Sequence, residues 1–324
     1  MRERTRMQLV VLDGYTLNPG DNPWDSLARL GELTVYDRTP PEHIVERARS
    51  ADIVLTNKTP LRADTLAQLP QLKFVAVLAT GFNIVDVAAA RRRAIPVSNV
   101  PEYGTDSVAQ HVFALLLELA SHVGVHDAAV HAGEWVHATD FCFWKTPPIE
   151  LAGLTMGIVG FGRIGRRVGE LAHAFGMRVL AAGGTRRAPP SYRPFEWREI
   201  PQLFAEADVV SLHCPLTADN AEFVNRDLVR TMRRAAFLIN TARGGLIDER
   251  ALAEALQAQE LAGAAVDVVS IEPMRADNPL LTAPRCLVTP HVAWATVAAR
   301  RRLMETTVRN VEAFLAGRPI NVVN

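Results

Sequence analysis

Cysteine is scarce. Three occur in 324 residues, Cys142, Cys214 and Cys286, far apart and without a C-x-x-C pair. That spacing argues against a disulfide framework or a paired-cysteine zinc site, and it fits reduced thiols in a cytoplasmic protein. Neither sign of charge is in excess: 35 Lys+Arg balance 35 Asp+Glu. A generally basic nucleic-acid binder is thereby excluded, because affinity for phosphate backbones needs concentrated positive charge. No run approaches the ~18 apolar residues of a membrane span; the longest, residues 113–120, is broken by Glu118. The segment Met1 to Met7 is rich in charge, and the apolar stretch at 9–12 is too short for the core of a secretory signal. Aromatic residues are only 6% of the chain, yet Trp135, Phe141, Phe143 and Trp144 fall within ten positions. Such clustering suggests a contact surface; a locally packed loop is the alternative.

What is present describes a folded chain. Apolar residues make up 48% and charged residues 22%, ordinary for a globular protein. At about 150 residues per domain, the length divides into roughly two. Residues 8–13, 33–36, 52–56, 73–79 and 96–99 read as strands, separated by helices over 24–30, 41–49, 62–68 and 85–92. A long helix is predicted over 106–122. A second series follows, with strands at 155–159, 178–182, 209–213, 237–240, 263–268 and 286–289. Its helices include 163–175, with Ile164, Val168, Leu171, Ala172 and Phe175 on one face, and 248–259, capped by Asp248. A last helix over 297–316 stops at Gly317 and Pro319. This alternation predicts βαβ units and parallel sheets in an α/β fold.

The strongest local motif is Gly160-Phe161-Gly162-Arg163-Ile164-Gly165, a G-x-G-x-x-G run that follows an apolar strand and opens a helix. In that context it reads as a dinucleotide cradle. Gly160 makes the tight turn, Gly162 lets backbone approach a pyrophosphate, and Gly165 lets helix and strand pack closely, with the helix N-terminus facing the anion. A plain strand–turn–helix is the alternative. An acid about 20 residues further on would bind ribose hydroxyls. Here residues 178–182 run into Gly183-Gly184-Thr185-Arg186-Arg187, with no Asp or Glu between Phe175 and Glu196. Thr185, Arg186 and Arg187 are therefore expected to receive the 2′-phosphate of an NADP-type cofactor. The alternative is a solvated basic turn.

Arg243, Glu272 and His291 each follow a predicted strand. Ligands in open α/β sheets bind beyond the carboxyl ends of strands, and that shared position raises the three above ordinary loop residues. Arginine clamps a carboxylate bidentately. Histidine moves a proton. An acid beside it orients it and favours its charged form. His122 and His126 have the i,i+4 spacing of zinc helices. Gly124 lies between them, however, and no third ligand is indicated, so no metal is expected.

Longer stretches carry a resemblance that no single motif would. They are residues 11–20 (VLDGYTLNPG), 55–61 (LTNKTPL), 79–86 (ATGFNIVD), 107–111 (SVAQH), 141–144 (FCFW), 240–245 (NTARGG) and 290–296 (PHVAWAT). Through them the chain resembles the D-2-hydroxyacid dehydrogenases over nearly its whole length, and within that family the glycerate dehydrogenase/hydroxypyruvate reductase group. The resemblance implies two doubly wound parallel-sheet domains. A Rossmann cofactor domain at residues 102–291 would be inserted into a discontinuous flavodoxin-like substrate domain of residues 1–101 plus 292–324. The implied reaction is reversible hydride transfer from NAD(P)H to hydroxypyruvate or glyoxylate, giving D-glycerate or glycolate. The resemblance places the catalytic roles on Arg243, Glu272 and His291. It implies substrate contacts from Lys58, from the Ala79-Thr80-Gly81 turn and from Trp294. Besides the glycines, Arg163, Ile164, Thr241, Ala242 and the His213-Cys214-Pro215 wall would meet the cofactor, with Asp267 at the nicotinamide amide. A homodimer formed near the 135–144 aromatics is also implied. The missing acid after residue 182 departs from the commonest family pattern and turns the cofactor expectation from NAD(H) to NADP(H).

Two alternatives stay open at this stage. Some relatives are nucleotide-sensing corepressors that bind protein without useful turnover; the complete Arg–Glu–His set and the lack of a long tail after the last helix weigh against that. Other enzymes of the fold act on formate, phosphite or phosphoglycerate. The 141–144 loop and Trp294 favour the glycerate group.

Overall fold

In the computed structural model, residues 6–183 and 188–324 are described. The expectation for Thr185, Arg186 and Arg187 therefore lies outside the described residues. In chain order the elements are β1 (Gln8–Val11), α1 (Asp25–Ala28), β2 (Glu32–Val35), α2 (Ile44–Ala48), β3 (Ile53–Thr56), α3 (Ala63–Ala67), β4 (Phe74–Val77), α4 (Val87–Arg92), β5 (Val97–Ser98), α5 (Thr105–Ser121) and α6 (Val123–His131). They continue with β6 (Thr155–Val159), α7 (Arg163–Ala174), β7 (Arg178–Ala182), β8 (Phe195–Trp197), α8 (Ile200–Glu206), β9 (Val209–Leu212), α9 (Arg226–Arg230), β10 (Phe237–Asn240), α10 (Glu249–Gln257), β11 (Gly263–Val266), β12 (Cys286–Val288) and α11 (Val297–Leu315). Two compact units result. One comprises the chain up to Gly104 with Ala295–Asn324, the other Thr105–Trp294.

The first unit holds a five-stranded sheet in the order β2-β1-β3-β4-β5, parallel throughout. This is the flavodoxin-like winding. β3 and β4 are buried at every position. Parallel strands covered on both faces need continuous apolar runs, not alternation, and that is how their sequences read. The end of the chain returns to this sheet. Phe314 of α11 stacks on Phe74 of β4 with centroids 4.5 Å apart, and Val323 N donates to Val97 O at 2.8 Å.

The second unit holds seven parallel strands in the order β12-β11-β10-β9-β6-β7-β8. Counted from β6 this is the 3-2-1-4-5-6 order of a dinucleotide-binding sheet with β12 added. The chain is thus α/β with two doubly wound parallel sheets, as expected. Asp248 caps α10 by accepting from Arg250 N and Ala251 N, both at 3.0 Å.

Some local expectations are corrected. The helix predicted over 106–122 stops at Ser121, because His122 turns left-handed at φ 50° and starts a separate helix, α6. The helix predicted over 41–49 divides into a 3-10 turn at Pro41–His43 and α2. Among the described residues no single helix is long and apolar enough to cross a membrane, and α5 and α6 bend by 57° at their junction.

Candidate active site

In the seven-stranded sheet the winding reverses between β6 and β9, the place where open α/β sheets bind ligands. The loop leaving β6 is the glycine run. Gly160 has φ +96°, and a Cβ there would stand 2.6 Å from Cys214 N; the position tolerates only glycine. At Gly165 a Cβ would meet Gly160 O at 2.2 Å. Gly162 is different: none of the described residues comes within 4 Å of where its side chain would project, and it precedes α7 without a side-chain cap. Room and uncapped first-turn N–H groups are what an anion requires there. Arg163 opens α7 and is exposed, while Ile164 packs on the core.

Across the reversal, His213 follows β9. Its Nε2 lies 2.8 Å from Ser211 Oγ, and burial pushes the imidazole down to about 3. A ring that stays neutral at physiological pH cannot serve as the proton donor. Burial also raises the Cys214 thiol, so both residues are suited to forming a wall. Pro215 is exposed.

The turn after β10 is built by Asn240, a buried side chain for which no role was foreseen. Its Oδ1 accepts from Ala242 N at 3.0 Å, and its Nδ2 donates to Arg243 O at 2.9 Å. Arg243 emerges exposed, with Nη1 donating to Ala242 O at 2.7 Å. Gly244 has no room for a side chain, since a Cβ would stand 1.9 Å from Val269 C. The Arg243 turn is therefore seated against the segment that leads to Glu272. Beside it, the Thr241 hydroxyl is buried and has no hydrogen-bond partner among the described residues.

Glu272 and His291 are brought together. His291 Nδ1 lies 2.7 Å from Glu272 Oε2, with both side chains partly exposed. His291 has φ +54°, a conformation that a non-glycine residue holds only when its surroundings impose it. Asp267 supplies much of that constraint. It is buried, and its carboxylate accepts from Thr289 Oγ1 at 2.6 Å and from Val292 N and Ala293 N at 2.9 Å. Its carbonyl accepts from His291 N at 2.8 Å. The Asp267 carboxylate is thus engaged chiefly by groups of the histidine turn, with His111 Nε2 of α5 at 3.5 Å from Oδ1. Trp294 ends this unit and is partly buried.

The first unit repeats the arrangement at its own reversal, between β1 and β3. Asp13, also without a foreseen role, follows β1 and accepts the backbone N–H groups of Asn57 (2.8 Å), Lys58 and Thr59 (2.7 Å). The exposed Lys58 is therefore presented by a fixed loop. After β4, Val100 N donates to Ala79 O at 3.0 Å, Asn99 Nδ2 donates to Thr80 O and Thr80 Oγ1 donates to Val100 O, the last two at 2.7 Å. These bonds leave the Thr80 and Gly81 amides without an acceptor among the described residues.

No group of three metal-ligating side chains stands together among the described residues. His126 Nδ1 faces His122 O at 2.8 Å and its Nε2 accepts from Lys145 N at 3.2 Å.

Proteins of similar sequence and fold place the chain in a family. The family described as D-isomer specific 2-hydroxyacid dehydrogenase, NAD binding domain, matches residues 113–293. A hydroxypyruvate reductase of Blautia hydrogenotrophica is 47% identical over 321 residues, covering 98% of this chain and all of the relative. A glycerate dehydrogenase of Methylorubrum extorquens is 42% identical, covering 90% of this chain and 92% of its own length. Among solved structures, an NADPH-dependent glyoxylate/hydroxypyruvate reductase of Sinorhizobium meliloti, in complex with NADP and malonate, superposes with a TM-score of 0.83. It is 27% identical, with 98% of this chain and 97% of that one covered.

Proposed function

The chain belongs to the D-isomer specific 2-hydroxyacid dehydrogenase family, and on that premise we propose that it reduces hydroxypyruvate or glyoxylate to D-glycerate or glycolate, reversibly and with NADP(H) preferred. The observation that carries the reading is the His291 Nδ1–Glu272 Oε2 contact of 2.7 Å. With Nδ1 engaged by a carboxylate, Nε2 is the nitrogen left to exchange a proton with substrate. The names of the two relatives support the choice of substrate.

The Thr241 hydroxyl, which has no partner among the described residues, and the space that the described residues leave at Gly162 fit a bound dinucleotide. Gly160, Gly162, Arg163, Ile164, Gly165, His213, Cys214, Pro215, Thr241, Ala242 and Asp267 would hold it, with Thr185, Arg186 and Arg187 at the 2′-phosphate. When bound in its reduced form, the cofactor supplies a hydride to the substrate carbonyl carbon. The chain does the rest. Arg243, Lys58 and the Thr80 and Gly81 amides, which have no acceptor among the described residues, would each contact the carboxylate, and Trp294 would contact the substrate. His291 gives its proton to the carbonyl oxygen as it becomes an alkoxide. Glu272 orients the ring and stabilises its charged form.

Steady-state assay of the intact protein on hydroxypyruvate and glyoxylate with NADPH tests the reading. Turnover is expected; cofactor binding without turnover would favour a corepressor-like binding protein. Glu272→Gln refines the test. Reduction consumes a proton from the imidazolium, so activity falls at high pH. Glutamine removes the charge that favours the imidazolium, so the high-pH limb should move to lower pH. An unmoved limb, with chemistry rate-limiting, would contradict the pairing.

We also propose a cytoplasmic homodimer. Phe141 is 89% exposed and Val136 81%, with Val123, Trp135 and Trp144 also bare within the same 22-residue stretch. Soluble monomers rarely leave large contiguous apolar patches uncovered. Sedimentation at micromolar concentration should give about twice the 35.5 kDa chain mass; a species of single mass would refute the dimer.

A further inference from the structure

We propose that His111, on α5, is a positioning residue: through Thr289 and Asp267 it fixes the turn that presents His291. The inference rests on the catalytic role given to His291 above. It begins from the directions of the hydrogen bonds. Asp267 Oδ1 and Oδ2 already accept backbone N–H groups from Val292 and Ala293. Thr289 Oγ1 lies 2.6 Å from Oδ1, so the single hydroxyl proton is donated to the carboxylate. The hydroxyl oxygen is left as an acceptor. His111 Nε2, 3.1 Å away, must then be a donor to it. The same Nε2 stands 3.5 Å from Asp267 Oδ1. The hydrogen-bond pattern therefore requires a proton on Nε2 of His111.

The other end of the relay is the His291 turn. Asp267 holds it at three backbone points: its carbonyl takes His291 N, and its carboxylate takes Val292 N and Ala293 N. These bonds flank a residue kept at φ +54°. Without them an extended backbone is easier for histidine, and the ring would swing from Glu272. His111 is 178 residues away in sequence from Thr289. It ties the turn to the core helix α5, whose buried face includes Val112, Phe113 and Leu116. The expected signature is on rate more than on binding, because a small displacement of a catalytic group costs turnover steeply.

The test pairs two truncations with one conservative variant. His111→Phe and Thr289→Val are each expected to lower kcat on hydroxypyruvate about tenfold, with the cofactor KM within about twofold of the parent, by analogy with groups that orient ligating histidines. The double variant should fall no further than either single one, because one broken link opens the whole relay. Thr289→Ser restores the hydroxyl and should stay within about twofold of the parent. Full turnover in His111→Phe, or losses that multiply in the double variant, would overturn the relay. Crystal structures give a second readout that does not depend on turnover. In His111→Phe the His291–Glu272 contact should open beyond hydrogen-bond distance, and in Thr289→Ser it should remain. A contact still at 2.7 Å in His111→Phe would overturn the relay even in an inactive protein. A parent that turns over no 2-keto acid would instead remove the catalytic reading and leave the structures to decide the relay.

Discussion

His291→Ala is expected to lower turnover on hydroxypyruvate by roughly 10²–10⁴-fold, the usual contribution of a positioned general acid, while NADPH binding changes little. The reason is local. His291 Nδ1 is committed to Glu272 at 2.7 Å, and the ring stands where the chain leaves β12, on a turn that Asp267 holds at three backbone points. Alanine removes the proton but none of the clamp, because the clamping bonds are made by backbone N–H groups. The effect should therefore fall on kcat. Fluorescence titration with NADPH beside steady-state kinetics separates the two. Turnover near that of the parent would mean that another group supplies the proton. His213 is a poor replacement, since burial holds it neutral with its imidazole pushed down to about 3.

The second large effect concerns the cofactor. The intact protein is expected to favour NADPH over NADH in kcat/KM by on the order of 10²-fold. A hydrogen bond to a charged group contributes about 1.5–3 kcal/mol, and two at the lower end give ~3 kcal/mol. Solvent screening sets a lower bound near tenfold and makes the preference shrink as salt rises. Arg186→Ala combined with Arg187→Ala should abolish most of it by weakening NADPH, leaving NADH unimproved. Kinetics with both cofactors at two ionic strengths decide the matter. Equal use of NADH by the intact protein would make Thr185, Arg186 and Arg187 a solvated turn and nothing more.

Much of the fold is legible in the chain because parallel strands advertise themselves. β3 and β4 are buried at every residue, so their sequences are unbroken apolar runs bounded by polar turns. The glycine run is legible for a related reason: at Gly160 and Gly165 a side chain would collide with backbone, so the spacing is forced. Arg243, Glu272 and His291 stand out by following strands. What supports them does not. Asp13 meets residues 44–46 positions later only because β1 and β3 are neighbours. The acid itself looks like any turn residue. Asn240 could have been noticed as a polar residue ending an apolar strand, but its two bonds to the Arg243 turn depend on how that turn folds back. The break at His122 was hidden because apolar residues continue on both sides of it, and only its left-handed backbone separates α5 from α6. Short elements such as β8, three residues long, offer too few positions for any period.

The most direct test of the central claim is oxidation of the two enantiomers of glycerate by the intact protein with NADP⁺, followed by the appearance of NADPH. D-glycerate should be oxidised and L-glycerate should leave the rate at background, because one hand of the substrate presents its hydroxyl to His291 with its carboxylate on Arg243. Oxidation of L-glycerate in preference, or of neither enantiomer by protein that binds NADP⁺, would contradict the account.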